Sequence, residues 1–119
     1  MATMITLYGI PNCDTVKKAR DWLAQHGVAH EFHDFKKAGV PADRLARWVE
    51  AAGWERVLNR KGTMWRKLDA ATQARVVDAA TAQAVMVDQP STIKRPVVES
   101  VDGHFLVGFD PALFSSFIK

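Results

Sequence analysis

Ile5-Thr6-Leu7-Tyr8-Gly9-Ile10-Pro11-Asn12-Cys13-Asp14-Thr15-Val16-Lys17-Lys18-Ala19-Arg20 decides how this chain is read. Ile5 to Tyr8 is a β-prone run, and Gly9-Ile10-Pro11-Asn12 is a turn-forming stretch that closes it. A helix is expected from about Asp14 to His26. Val16, Ala19 and Leu23, with Trp22 beside them, form its apolar stripe, and Lys17, Lys18 and Asp21 face water. Gly27 sits where a left-handed C-terminal cap is wanted. Cys13 therefore falls at the junction of turn and helix.

Working outward, a second strand is expected near His30 to Phe35, then a loop over Lys36-Lys37-Ala38-Gly39. Pro41 suits the first turn of a helix carrying Leu45, Trp48, Val49 and Ala52 to a stop at Gly53. Residues 54–89 are mostly helical in composition: a short helix at Trp54 to Leu58, a break from Asn59 to Thr63, and alanine-rich helices at Ala71 to Val76 and Asp78 to Val87. Pro90 ends that block. Val97-Val98 and Phe105-Leu106-Val107 are β-prone, and Asp102-Gly103 between them signals a tight hairpin. Asp110-Pro111 opens a last helix with Leu113, Phe114, Phe117 and Ile118 as its expected buried side.

The order is β-α-β-α, a helical block, then β-β-α. Two strands joined by a helix should be parallel, and the closing hairpin is antiparallel. The expected class is α/β: a thioredoxin-like fold with a mixed four-stranded sheet and an inserted helical subdomain. The 119 residues fit one domain, residues 1–119, with the insertion at about 41–89.

Composition narrows the chemistry. One cysteine among 119 residues excludes an internal disulfide and a cysteine-rich metal site, and it leaves no second thiol to resolve an oxidised Cys13. No apolar run approaches the roughly 20 residues needed to cross a bilayer. Met1-Ala2-Thr3-Met4 has no basic n-region before an apolar stretch, so a cytoplasmic, reducing location is expected. The net charge is +3, but five of the 16 basic residues (Arg56, Arg60, Lys61, Arg66, Lys67) lie between Arg56 and Leu68 without an acid. That is a local cationic surface, and with no nucleic-acid-binding motif beside it a nucleic-acid partner is not expected. His26, His30, His33 and His104 lack the spacing of a metal site.

At a helix start, unpaired N–H groups and the helix dipole favour a thiolate. A free cysteine is commonly a small buried hydrophobe, but a Pro-Asn turn opening a helix favours the reactive reading. A dithiol motif would need cysteine where Val16 stands, and a phosphatase-type loop would need arginine where Ala19 stands. Neither motif is present.

The segment Tyr8 to Arg20 resembles the active-site segment of the arsenate reductase-like (ArsC/Spx) family. Asn59-Arg60-Lys61-Gly62-Thr63 and Ile93-Lys94-Arg95-Pro96-Val97-Val98 resemble its two later landmarks. Lys17-Lys18-Ala19-Arg20, Met64-Trp65-Arg66-Lys67-Leu68 and Val107-Gly108-Phe109 are similar to the branch named YffB. The resemblance implies Cys13 as nucleophile, Arg60 and Arg95 as anion-holding residues, and Pro96 as a cis-proline facing the cysteine. Asn12 and Lys17 are further candidates for steadying the thiolate or holding glutathione. The implied enzyme is a monomeric, glutathione- or glutaredoxin-dependent monothiol reductase with no bound cofactor. Glutathione is its co-substrate, and a small molecule or thiol adduct its substrate. Arsenate reductases proper carry a third arginine where this chain has Val107-Gly108-Phe109, which implies weaker arsenate binding than thiol chemistry. The alternative implied by the same family is an Spx-like, non-enzymatic regulator that binds a protein partner.

Overall fold

The computed structural model describes residues 5–100 and 102–118; the expectations for Met1 to Met4 and for the Ile118 side chain fall outside it. Strand β1 (Ile5–Gly9) leads into helix α1 (Asp14–Gln25), strand β2 (His30–Asp34) and a four-residue helix α2 (Phe35–Ala38). Helices α3 (Ala42–Ala52), α4 (Trp54–Val57), α5 (Thr63–Lys67), α6 (Ala70–Arg75) and α7 (Ala79–Asp88) follow, then a 3-10 turn at Pro90–Thr92. Strands β3 (Val97–Ser100) and β4 (Phe105–Val107) and helix α8 (Pro111–Ile118) close the chain.

The sheet order is β2-β1-β3-β4. β1 pairs with β2 in parallel, Leu7 opposite Phe32, and with β3 antiparallel, Tyr8 opposite Val97. β3 and β4 are antiparallel, as the hairpin signal required, with Val98 opposite Leu106. The expected mixed, four-stranded α/β sheet is therefore present.

The chain divides into two compact units, Met1–Ala38 with Arg95–Lys119, and Gly39–Lys94. The expected insertion at about 41–89 falls inside the second. In the sheet unit, Ile5 and Leu7 from β1 and Val98 from β3 pack with Val16, Ala19 and Leu23 from α1 and Phe114 from α8. This is the helical stripe read from the sequence, now facing the alternate residues of a central strand. Gly27 has φ 66°, the left-handed value expected at that helix end. In the helical unit Leu45, Trp48 and Val49 of α3, Val57 of α4, and Ala82 and Met86 of α7 are buried. α7 is opened by an Asp78/Thr81 capping box, in which Thr81 N–H donates to Asp78 Oδ1 at 3.0 Å and Asp78 N–H donates to Thr81 Oγ1 at 3.1 Å.

Two expectations are corrected. Lys36 to Ala38 is not loop but part of α2, where the Asp34 carboxylate accepts the Lys36 N–H at 2.8 Å and starts the turn. Four residues are too few for a periodic pattern to announce itself. Leu113 is not on the buried side of α8: it is 52% exposed, whereas Phe114 is 1% exposed. Leu113 lies at the edge of the apolar stripe, and the ring of Phe114 fills the core position, edge-on to Trp22 and Phe109.

Candidate functional site

The site grows from the β1–α1 junction. Gly9 ends β1, and a Cβ there would lie 2.7 Å from Val16 Cγ2, so only glycine lets the strand end approach the first turn of α1 this closely. Cys13 is the residue that caps α1, with extended backbone (φ −101°, ψ 123°), and its carbonyl accepts the Lys17 N–H at 3.0 Å. Its side chain is half-buried and packs against the sheet-unit core.

Partial burial pushes the Cys13 thiol up. The Val16 backbone N–H, the Arg95 guanidinium (by hydrogen bond and by charge) and the Thr15 backbone N–H pull it down by more. The result is a pKa below the ordinary thiol value. The helix-start amides do what the dipole argument anticipates, because a sulfur at this position faces N–H groups that have no carbonyl within the helix. Arg95 is distant in the chain but enters β3 at the same end of the sheet. It stands two residues before Val97, which pairs with Tyr8, so the antiparallel register carries it past the end of β1 toward the turn that holds Cys13. The Arg95–Pro96 peptide is cis, and the Pro96 carbonyl accepts the Gly108 N–H at 2.7 Å.

The remaining candidates are placed differently. Asn12 is exposed, and Lys17 is exposed on α1, where with Arg20, Asp21, Ala24 and His30 it lines a shallow depression of about 250 Å³. The groups that shift the Cys13 thiol are those of Val16, Arg95 and Thr15, not the side chains of Asn12 or Lys17. Arg60 belongs to the helical unit. There its guanidinium lies 5.3 Å from the Trp54 ring centroid and its Nη2 is 3.5 Å from Glu55 Oε2. The other basic residues of the run, Arg56, Lys61, Arg66 and Lys67, are exposed. The histidines are engaged locally: His26 stacks on Trp22, His33 meets the Tyr8 and Phe35 rings, His30 Nδ1 is 3.3 Å from the Val28 carbonyl, and His104 pairs with Asp102. Among the described residues, no helix is long and apolar enough to cross a membrane.

Residues 8–117 match the model of the ArsC family. The chain belongs to the ArsC family. The solved structure of the YFFB protein is 50% identical and superposes with a TM-score of 0.90, covering 97% of this chain and 99% of that one. An arsenate reductase (ArsC) related protein from Brucella melitensis is 49% identical with a TM-score of 0.74, covering 100% and 96%. An uncharacterised protein of Haemophilus influenzae is 42% identical over 90% of this chain and 92% of its own length. The global transcriptional regulator Spx of Streptococcus agalactiae is 27% identical over 80% of this chain and 69% of that protein. The ArsC family and the thioredoxin-like fold read from the sequence are those of this chain.

Proposed function

We propose that this ArsC-family chain is a thiol-dependent reductase whose nucleophile is the Cys13 thiolate. The observation that carries this reading is the thiol itself, held below its ordinary pKa at the start of α1 by helix-start amides and by Arg95. A thiolate is the reactive form, and an arginine fork beside it suits an anionic substrate group. Arg60 is the second anion-holding arginine of this reading.

With a glutathione mixed disulfide as substrate, the Cys13 thiolate attacks the glutathione sulfur. The old S–S bond breaks, its electron pair leaves on the other sulfur as a thiolate, and that thiolate takes a proton from water. Cys13 is left as its own glutathione disulfide. The thiolate of a second glutathione, or of glutaredoxin, then attacks the glutathione sulfur of that adduct and returns Cys13 as thiolate. One mixed disulfide is reduced, and the external thiol is oxidised to the matching disulfide. An outside thiol is required because the chain has one cysteine. This chemistry belongs in a reducing compartment, the cytoplasm. Val107-Gly108-Phe109 supply no third arginine, which favours a thiol adduct over arsenate as substrate.

The test is reduction of a glutathione mixed disulfide by wild type and Cys13→Ser with excess glutathione. The expected outcome is loss of turnover in the variant, and equal rates would overturn the reading. A second reading, a regulator that binds a protein partner, is favoured by the similarity to Spx. It predicts a specific partner in a pull-down that is retained by Cys13→Ser.

A further inference from the structure

The surroundings of Arg60 carry an inference that deepens the proposed function and rests on it. We propose that Trp54 and Glu55 are positioning residues for Arg60: the Trp54 ring holds the guanidinium in place, and the Glu55 carboxylate is a placeholder that an anionic substrate group displaces.

The backbone around Arg60 is fixed first. Leu58 forms an antiparallel bridge with Ile93, Asn59 N–H donates to the Thr92 carbonyl at 2.8 Å, and Lys94 N–H donates to the Val57 carbonyl at 2.7 Å. Gly62 N–H donates to the Asn59 carbonyl at 3.2 Å and turns the chain just beyond Arg60. Anchoring the backbone still leaves a long, flexible side chain with several rotatable bonds. Two neighbours on α4 act on it. The guanidinium carbon lies 5.3 Å from the Trp54 ring centroid, within cation–π range. A guanidinium resting on a ring keeps its N–H donors available at its edge.

Glu55 engages one of those donors weakly. The Nη2 to Oε2 distance is 3.5 Å, and the two side chains are 48% and 67% exposed. An exposed pair of that length contributes little stability and exchanges readily. A carboxylate delivered by a bound substrate in bidentate geometry would outcompete it. Trp54 and Glu55 therefore affect anion binding with opposite signs. Removing the ring frees the guanidinium and weakens binding, whereas neutralising the carboxylate removes a competitor and strengthens it. A merely structural role for α4 would move both variants in the same direction.

The experiment follows Cys13 glutathionylation in the full chain by mass shift, with oxidised glutathione as the probe over a range of concentrations. The half-saturating concentration reports binding, and the plateau rate reports chemistry. Trp54→Ala should raise the half-saturating concentration about two- to fivefold with the plateau kept, and Trp54→Phe should restore most of the difference. Glu55→Gln should lower it about two- to fivefold. In an Arg60→Ala background both changes should vanish. If Arg60→Ala raises half-saturation while Trp54→Ala and Glu55→Gln leave it unchanged or shift it the same way, the positioning role is overturned and the anion-holding role of Arg60 stands. If Arg60→Ala has no effect on half-saturation, that anion-holding role fails and takes the positioning role with it. Should Trp54→Ala not fold, Trp54→Leu, which keeps apolar bulk without an aromatic face, is read in its place with the same expected rise, and an unchanged half-saturation overturns the role of the ring.

Discussion

Replacing Gly9 with alanine tests whether the close approach of β1 to α1 builds the thiol site. The new Cβ would lie 2.7 Å from Val16 Cγ2, against an optimal carbon–carbon separation of roughly 3.5–4.0 Å. Val16 is 1% exposed and short, so it cannot swing aside, and either the strand end or the first turn of α1 must shift. Overpacking of this kind costs about 1–3 kcal/mol. For a chain of this size each kcal/mol corresponds to roughly 4 °C, so Tm should fall by about 4–12 °C. Val16→Ala alone removes two buried methyl groups and should cost about 2 kcal/mol from transfer and cavity. In the double variant the smaller side chain accommodates the new Cβ, so the loss should be less than the two single losses combined, by about 1 kcal/mol or more. The same contact reaches the chemistry, because the Val16 N–H is a leading cause of the lowered Cys13 pKa. Gly9→Ala should therefore slow Cys13 alkylation at neutral pH, and the double variant should recover part of it. Thermal denaturation with timed alkylation provides both readouts. Wild-type Tm in Gly9→Ala, or strictly additive losses in the double variant, would refute the reasoning.

Other expectations follow from the same structure. Phe114→Ala should cost about 3–5 kcal/mol by opening the core beneath Trp22 and Phe109, whereas Leu113→Ala on the exposed side should change stability by no more than about 0.5 kcal/mol; urea denaturation distinguishes them. Folding lowers the Cys13 pKa, so thiolate formation stabilises the folded state. That contribution is fully present above the unfolded thiol pKa and is lost as pH falls through the lower folded pKa. Stability should accordingly rise with pH across that window in wild type and rise less in Cys13→Ser, as read by urea midpoints over a pH series.

The sequence made the frame legible where local pattern and tertiary demand agree. Val16, Ala19 and Leu23 repeat at helical spacing because one face of α1 must meet Ile5 and Leu7, so composition and packing report the same thing. Lys36 to Ala38 escaped because one helical turn shows no period, and Leu113 misled because an apolar residue at the edge of a stripe looks like one at its centre. The site was legible only in part. Cys13 advertises itself through its turn-to-helix position, but the meeting with Arg95 depends on the antiparallel register of β1 and β3, which no local pattern encodes. The resemblance to the ArsC family supplied that arginine from the Arg95-Pro96 landmark. Trp54 and Glu55 left no signal, because their relation to Arg60 arises only once the chain turns back after α4.

The central claim is a Cys13 thiolate sustained by the α1 start and by Arg95, and a pH titration of thiolate absorbance tests it most directly. The chain has one cysteine, so the signal belongs to Cys13 alone, with Cys13→Ser as the blank. The account predicts a wild-type midpoint below that of the urea-unfolded chain, and a higher midpoint in folded Arg95→Met. A wild-type midpoint at or above the unfolded value, or one that Arg95→Met leaves in place, would contradict it.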